Sequence, residues 1–195
     1  MLAGGQSRRL GRDKAVEPVG GQPLIRRVLD RLSRVCDELV VVVADQARGD
    51  ALPLGPGHRV ALDRYPGGGS LGGIFAGLAT MRQDWGLVVA CDMPFLNLDL
   101  LQYLRSQRPG YDAVVPVLAG RPEPTHALYS RDCLPFIEDK LKVGYLKISG
   151  FYDRVRVNYV PEAAVARLDP EDLSFFNVNS PEDLVRAVSL VATGR

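Results

Sequence analysis

The sequence contains few of the residues that disulfide networks and metal cages require. Among its 195 residues there are two histidines and three cysteines, Cys36, Cys91 and Cys133. The cysteines are odd in number and far apart, which argues against both a disulfide framework and a metal cage. This pattern favours a reducing compartment.

The sequence also lacks long apolar runs and an excess of either charge. No run approaches the roughly 18 apolar residues of a membrane span, and the N-terminus lacks the apolar stretch of a signal peptide. Lys and Arg number 24 against 23 Asp and Glu, so nothing marks the surface as a binder of nucleic acid or membranes. We therefore expect a cytoplasmic protein without either partner, in which any anion site is a local cluster.

What the sequence does contain is an alternation of strand-like and helix-like segments. The length fits one domain, and the hydrophobic content of 46% is ordinary for a globular core. Apolar runs predict strands over residues 38–43, 60–62, 86–90 and 112–117. Periodic patterns predict helices over residues 23–35, 73–81 and 98–106. Such alternation predicts an α/β fold: a single Rossmann-like domain, with a mostly parallel twisted sheet and helices on both faces.

The last third of the chain is less regular. Residues 126–129 and 154–159 are candidate strands, and residues 133–141 are helix-like. The final helix has a clear beginning, because Ser180, Pro181 and Asp183 make a cap, a first-turn proline and an approximate capping box.

The opening stretch "LAGGQSRRLGRDK" (residues 2–14) has the composition of an anion-binding loop. Gly4 and Gly5 would let backbone N–H groups approach a phosphate closely, and Arg8, Arg9 and Lys14 would neutralise it. A solvated basic turn is the alternative that composition leaves open.

Two further motifs are near misses. A Walker A loop requires Gly-Lys-Ser/Thr, whereas Lys14 follows Asp13. Residues 67–72 match G-x-G-x-x-G, and Asp92 follows about twenty residues later, so an NAD(P)-dependent oxidoreductase is an alternative. This fingerprint is weak, because four residues separate it from the preceding strand and because a dinucleotide site there would give the opening loop no function.

Taken together, the motifs resemble those of the nucleotidyltransferases that make molybdenum cofactor dinucleotides, in particular the molybdenum cofactor guanylyltransferase family. The resemblance starts at the opening loop, includes Asp63, and continues in order through "GSLGG" (69–73), "CDMPFL" (91–96), "HALY" (126–129) and "FFNVNSPEDL" (175–184). The cytidylyl-transferring relatives carry Leu-Ala-Ala-Gly and Pro-Lys, so Gly4-Gly5 and Asp13-Lys14 favour the guanylyl branch.

The resemblance implies a fold like that of the nucleotide-diphospho-sugar transferases and one nucleotidyltransferase domain over residues 1–195. Residues 1–97 would bind the nucleotide and residues 98–195 the acceptor. The implied reaction transfers GMP from GTP to the phosphate of molybdopterin (the molybdenum cofactor) and releases pyrophosphate, with Mg²⁺ as cofactor. Transient contact with molybdoenzymes or other cofactor-biosynthesis proteins is also implied. A related cytidylyltransferase and a non-catalytic GTP-binding module remain alternatives.

The resemblance also assigns roles to single residues. Lys14, Arg9 and Asp92 are the expected catalytic residues, and Asp92 is the expected metal ligand. The expected nucleotide-binding residues are Leu2, Ala3, Gly4, Gly5, Lys14, Asp63, Gly69 and Asp92. Asn177 and Asn179 are the expected acceptor-binding residues.

Each assignment has a purely structural alternative. Asp92 would be a helix N-cap, Asp63 a surface turn residue, and Asn177 and Asn179 Asx-turn or cap residues. His126 is expected to be structural or a substrate-pocket contact rather than a catalytic base.

Two features depart from the family pattern. Family members carry several apolar residues before Leu2, which form a central first strand, so here we expect a very short strand or a misplaced start. The family often has an asparagine at the end of its second strand, where this chain has Ala44.

Overall fold

The structure, a computed structural model, describes residues 1–5 and 13–194. Arg8 and Arg9, for which the sequence predicts phosphate binding, lie outside the described residues.

A mixed sheet runs through the molecule. Its order is β4–β3–residues 1–3–β5–β8–β6–β9, and only β8 runs antiparallel to the others in this series. The strands are β3 (Leu39–Val43), β4 (His58–Leu62), β5 (Trp85–Val89), β6 (Ala113–Leu118), β8 (His126–Ser130) and β9 (Val157–Val160). The two-residue strand β7 (Arg121–Pro122) pairs with β6, and β1 (Pro18–Val19) and β2 (Gln22–Pro23) form a separate short hairpin.

Helices cover both faces of this sheet. They are α1 (Leu24–Leu32), α2 (Gln46–Ala51), α3 (Gly69–Thr80), α4 (Leu98–Ser106), α5 (Leu134–Lys142), α6 (Glu162–Leu168) and α7 (Pro181–Ala192). Helices α1, α4 and α6 pack on one face and α3 and α5 on the other. The apolar run of β3 is explained by this arrangement, because a strand that is covered on both faces needs apolar residues at every position.

Residues 1–3 occupy the centre of the sheet between β3 and β5. Leu2 donates to the Val89 carbonyl at 2.8 Å, and Ala3 donates to the Val42 carbonyl at 2.8 Å. The bridges of Leu2 to its neighbours on both sides are parallel. These few residues lie where a very short first strand, one of the two expectations, would be.

A cavity of about 290 Å³ continues the line of this central segment, between β3 and β5. Most of its lining is apolar, and it includes Leu32 of α1, Val40 of β3, Gly77 of α3 and Leu87 of β5.

The predicted elements are present with small shifts in their ends, and the α/β prediction is confirmed. The predicted strand over 154–159 begins later, at Val157, because Ile148–Arg154 forms a 3-10 helix that buries Phe151 and Tyr152. Helices α2 and α6 were not predicted. Within the described ranges, no helix has the length and apolar character needed to cross a membrane.

Candidate active site

The predicted site residues gather at one edge of the sheet. In α/β sheets, ligands bind beyond the carboxyl ends of the strands. Residues 1–3, β3, β4 and β5 are parallel and end at the same edge. Asp63 follows β4 directly, and Asp92 lies three residues after β5.

Lys14, Asp92 and Asn179 form one side-chain cluster at this edge. The Lys14 ammonium group makes an ion pair with Asp92 Oδ2 and donates to Asn179 Oδ1 at 2.9 Å. The side chains of Lys14 and Asp92 are only 17% and 11% exposed. The structure thus brings together three residues for which the sequence predicts three roles: catalytic cation, metal ligand and acceptor contact.

The final helix holds Asn179 in this cluster. The backbone N–H groups of Asn179 and Ser180 both donate to Asp183 in the first turn of α7, and Ser180 accepts from Asp183 in return. This capping box confirms the predicted helix start. The Val178 N–H donates to the Asp92 carbonyl at 2.9 Å, which ties this segment to the turn after β5.

Asp92 does not cap a helix, since the N-cap of α4 is Asn97. Its Oδ1 atom is buried and has no hydrogen-bond partner among residues 1–5 and 13–194. A buried, unpartnered carboxylate oxygen is costly unless a ligand completes it. Mg²⁺ favours one or two carboxylates together with phosphate oxygens and water, so this carboxylate oxygen is a suitable ligand for the expected ion. The described residues contain no cluster of three or more His, Cys, Asp or Glu side chains suited to a metal.

Cys91, the neighbour of Asp92, is not a nucleophile. Burial, reinforced by the Asp92 carboxylate, raises the pKa of its thiol to about 12. The thiol stays protonated at neutral pH, and thiols react as thiolates.

Asp63 lies against the beginning of α3. Its Oδ1 accepts from the Tyr65 N–H at 2.9 Å. A Cβ atom on Gly72 would lie 2.9 Å from Asp63 Oδ1, so a glycine is needed where the helix passes this carboxylate. Gly69 adopts a φ of +58°, which favours glycine, and has open space around it.

The first glycine of the opening loop also lies close to backbone. A Cβ atom on Gly4 would approach the Ala44 nitrogen to 3.3 Å, whereas a Cβ on Gly5 would meet no described residue within 4 Å. Backbone contact by Leu2, Ala3, Gly4 and Gly5 with a nucleotide stays a prediction.

Two candidate residues stand apart from the cluster. The Asn177 side chain donates to the Phe175 carbonyl two residues earlier at 2.9 Å, the local turn contact that was its structural alternative. His126 is completely buried beside the Phe175 ring, and neither of its ring nitrogens has a hydrogen-bond partner in the described part of the chain. Its burial matches the expectation of a structural or pocket residue.

Sequence reasoning missed Arg48, on α2. Its guanidinium makes a bidentate pair with Asp13, and its Nε donates to the Ala3 carbonyl at 3.3 Å. The hydrogen bond from Arg48 holds the pKa of the Asp13 carboxyl below its ordinary value. The Asp13-Lys14 pair was recognised as part of a motif, but nothing in the sequence pairs Asp13 with a residue on a helix that was not predicted.

Comparison with known proteins identifies the class of this protein, an α/β nucleotidyltransferase. The MobA-like NTP transferase domain family matches residues 1–155. The chain belongs to this family.

Full-length relatives agree with the assignment. A "Probable molybdenum cofactor guanylyltransferase" of Pelotomaculum thermopropionicum is 41% identical over all of this chain and 93% of its own length. A molybdenum cofactor guanylyltransferase of Desulfosudis oleivorans is 36% identical over all of this chain and 96% of its own.

Solved structures show the same fold. Molybdopterin-guanine dinucleotide biosynthesis protein A from Archaeoglobus fulgidus has a TM-score of 0.86 and 32% identity, covering 98% of this chain and 97% of its own. The 2-C-methyl-D-erythritol 4-phosphate cytidylyltransferase of Thermus thermophilus has a TM-score of 0.71 at 20% identity, covering 98% of this chain and 96% of its own, and is similar in fold alone.

Proposed function

We propose that this protein is a Mg²⁺-dependent guanylyltransferase that transfers GMP from GTP to the phosphate of molybdopterin. The single observation that carries the proposal is the meeting of Lys14, Asp92 and Asn179 at the ligand edge of the sheet. The names of the full-length relatives support the guanylyl specificity and the acceptor.

In the proposed reaction, an oxygen of the molybdopterin phosphate attacks the α-phosphorus of GTP. A new phosphoanhydride bond forms, the bond between the α- and β-phosphates breaks, and pyrophosphate leaves with the bonding electron pair. The attacking phosphate is already ionised at neutral pH, so the reaction needs no general base. The protein contributes mainly position and charge stabilisation, as is usual in this chemistry.

The residues of the cluster take the following parts. The Lys14 ammonium, which pairs with Asp92 in the protein alone, would turn to the triphosphate and stabilise charge on the departing pyrophosphate. Asp92 would hold Mg²⁺ through its unpartnered oxygen. When bound, that ion would neutralise phosphate charge and align the phosphate groups. The Asn179 side chain would then be released from Lys14 toward the acceptor phosphate.

The two halves of the chain divide the substrates in this proposal. Residues 1–97 contain Lys14, Asp63, Gly69 and Asp92 and would bind GTP. Residues 98–195 contain Asn177 and Asn179 and would bind the acceptor.

Purified protein with molybdopterin, Mg²⁺ and either GTP or CTP tests the proposal. We expect dinucleotide and pyrophosphate from GTP. Product from CTP alone would mean a cytidylyltransferase, and tight binding of GTP without product would mean a binding module. Stabilisation by NADPH but not by Mg·GTP would favour the oxidoreductase that residues 67–72 suggest.

Two variants test the cluster. Asp92→Asn and Lys14→Met should each abolish most transfer while the protein stays folded. Lys142→Met is a matched control, because that lysine also pairs with a carboxylate but is 58% exposed on α5. Equal losses in Lys14→Met and Lys142→Met would contradict the assignment.

A further inference from the structure

We propose that Arg48 is a positioning residue, which holds Asp13 against Ala3 and so places Lys14 for phosphate binding. The inference rests on the proposed function for its kinetic consequence. Its structural part, the placement of the Lys14 side chain, can be measured without turnover.

Arg48 joins two separate parts of the chain. Its Nη2 donates to Asp13 Oδ1 at 2.8 Å, its Nη1 pairs with Asp13 Oδ2, and its Nε donates to the Ala3 carbonyl at 3.3 Å. All three guanidinium nitrogens are thus in use. The planar fork of arginine suits a bidentate carboxylate contact, which lysine cannot reproduce.

Both partners of Arg48 lie next to predicted nucleotide-binding positions. Ala3 is fixed in the sheet by its hydrogen bond to the Val42 carbonyl at 2.8 Å, and it directly precedes Gly4. Asp13 directly precedes Lys14 and is the N-cap of the 3-10 helix Lys14–Val16, where it accepts from the Ala15 N–H at 3.0 Å. The guanidinium therefore fixes the position of the Lys14 backbone relative to the central segment, residues 1–3.

Arg48 itself has a firm base. Asp45 caps α2 and accepts from the Arg48 N–H at 2.8 Å, and α2 follows β3, the neighbour of the central segment. The side chain is 19% exposed. Because Arg48 is fixed on a capped helix, its guanidinium can set the position of Lys14 through Asp13.

Charge gives Arg48 a second effect. The Asp13 carboxylate adjoins the lysine that would bind a triphosphate, and like charges in proximity oppose binding. The bidentate arginine offsets that negative charge. Removing Arg48 would leave an uncompensated carboxylate beside the phosphate site as well as a loosened backbone.

The test compares Arg48→Ala, Arg48→Lys and Asp13→Asn with the unaltered protein. Arg59→Ala is the matched control, since Arg59 of β4 pairs with Glu38 in the same sheet but at the opposite end from the proposed site. The readouts are Lys14 acetylation, followed by peptide mass spectrometry, together with thermal unfolding, kcat and KM for GTP.

We expect Arg48→Ala to speed the labelling of Lys14 and to lower kcat by about 100-fold, the scale of a misplacement of about 1 Å. Arg48→Lys should give a labelling rate and a kcat between those of Arg48→Ala and the unaltered protein. The charge-swapped pair Arg48→Asp with Asp13→Arg should recover part of the kcat that either single change loses. Arg59→Ala should alter neither Lys14 labelling nor kcat.

Unchanged Lys14 labelling in Arg48→Ala would overturn the inference, as would an equal effect of Arg59→Ala. Should Arg48→Ala fail to fold, Arg48→Lys supplies the same comparison. If the unaltered protein transfers no nucleotide, the proposed function fails, and the labelling alone then decides whether Arg48 positions Lys14.

Discussion

Mild acid should destabilise this protein in large part through one buried histidine. His126 begins β8, is completely buried, and has no hydrogen-bond partner on either ring nitrogen among the described residues. Burial lowers its pKa from the ordinary 6.5 to about 4, because the imidazolium ion would lose its hydration in the interior. The folded protein therefore keeps this ring neutral at pH values where the unfolded chain protonates it.

The sign of the effect follows from proton binding. Above pH 6.5 the ring is neutral in both the folded and the unfolded state, and its contribution to the free energy of unfolding is at its maximum. Between pH 6.5 and about 4 the unfolded state binds the extra proton, so the free energy of unfolding falls as the pH falls. At about 1.4 kcal/mol per pKa unit, the total loss is about 3 kcal/mol, a large part of the roughly 5–15 kcal/mol that stabilises most domains.

The assay is urea unfolding at a series of pH values from 7.5 to 4. Carboxylates with lowered pKa, such as Asp13 and Asp183, also lose stabilisation in acid, so the wild-type curve alone is insufficient. His126→Phe removes the titrating group and keeps a ring beside Phe175. Over this pH range, the free energy of unfolding of the variant should therefore fall by about 3 kcal/mol less than that of the wild type.

His58→Asn is the comparison variant, because burial also lowers the pKa of His58, the other histidine, but this ring is only half-buried and its substitution should change the pH dependence less. Parallel pH curves for the wild type and His126→Phe would refute the reasoning. If His126→Phe packs poorly, His126→Asn allows the same comparison, that of the slope of the unfolding free energy against pH.

Two further predictions address the site. Lys14→Met should lower the rate of GMP transfer about 100-fold, the usual cost of one preorganised charge-stabilising donor, as measured by pyrophosphate release. Gly72→Ala should weaken GTP binding about tenfold, because overpacking of roughly 1–3 kcal/mol would displace Asp63; calorimetry measures this.

Each of these predictions has a result that would contradict it. Gly57→Ala adds a methyl group where no described residue lies within 4 Å, so equal weakening of GTP binding in this variant would point to a general effect of alanine. Lys14→Met that retains full turnover would remove Lys14 from the mechanism.

Local patterns in the sequence were sufficient for the elements near the site. The apolar run of β3, the helix over Leu98–Ser106 and the capping box at Ser180 were all predicted and are present. Such features depend on neighbours a few residues away, which the sequence displays directly. The 3-10 helix Ile148–Arg154 was missed because its polar and aromatic residues also fit an extended segment, and burial of Phe151 and Tyr152 selects the helix.

The sequence by itself determined the family motifs, the alternation of strands and helices, and the edge of the sheet at which ligands would bind. Only the tertiary structure brought Lys14 to Asp92, 78 residues away, and to Asn179, 165 residues away. It alone decided that β8 runs antiparallel, that His126 is buried without a partner, and that Arg48 pairs with Asp13. The physical reason is that local residue patterns select backbone conformation, whereas contacts between distant side chains depend on the order in which strands join the sheet.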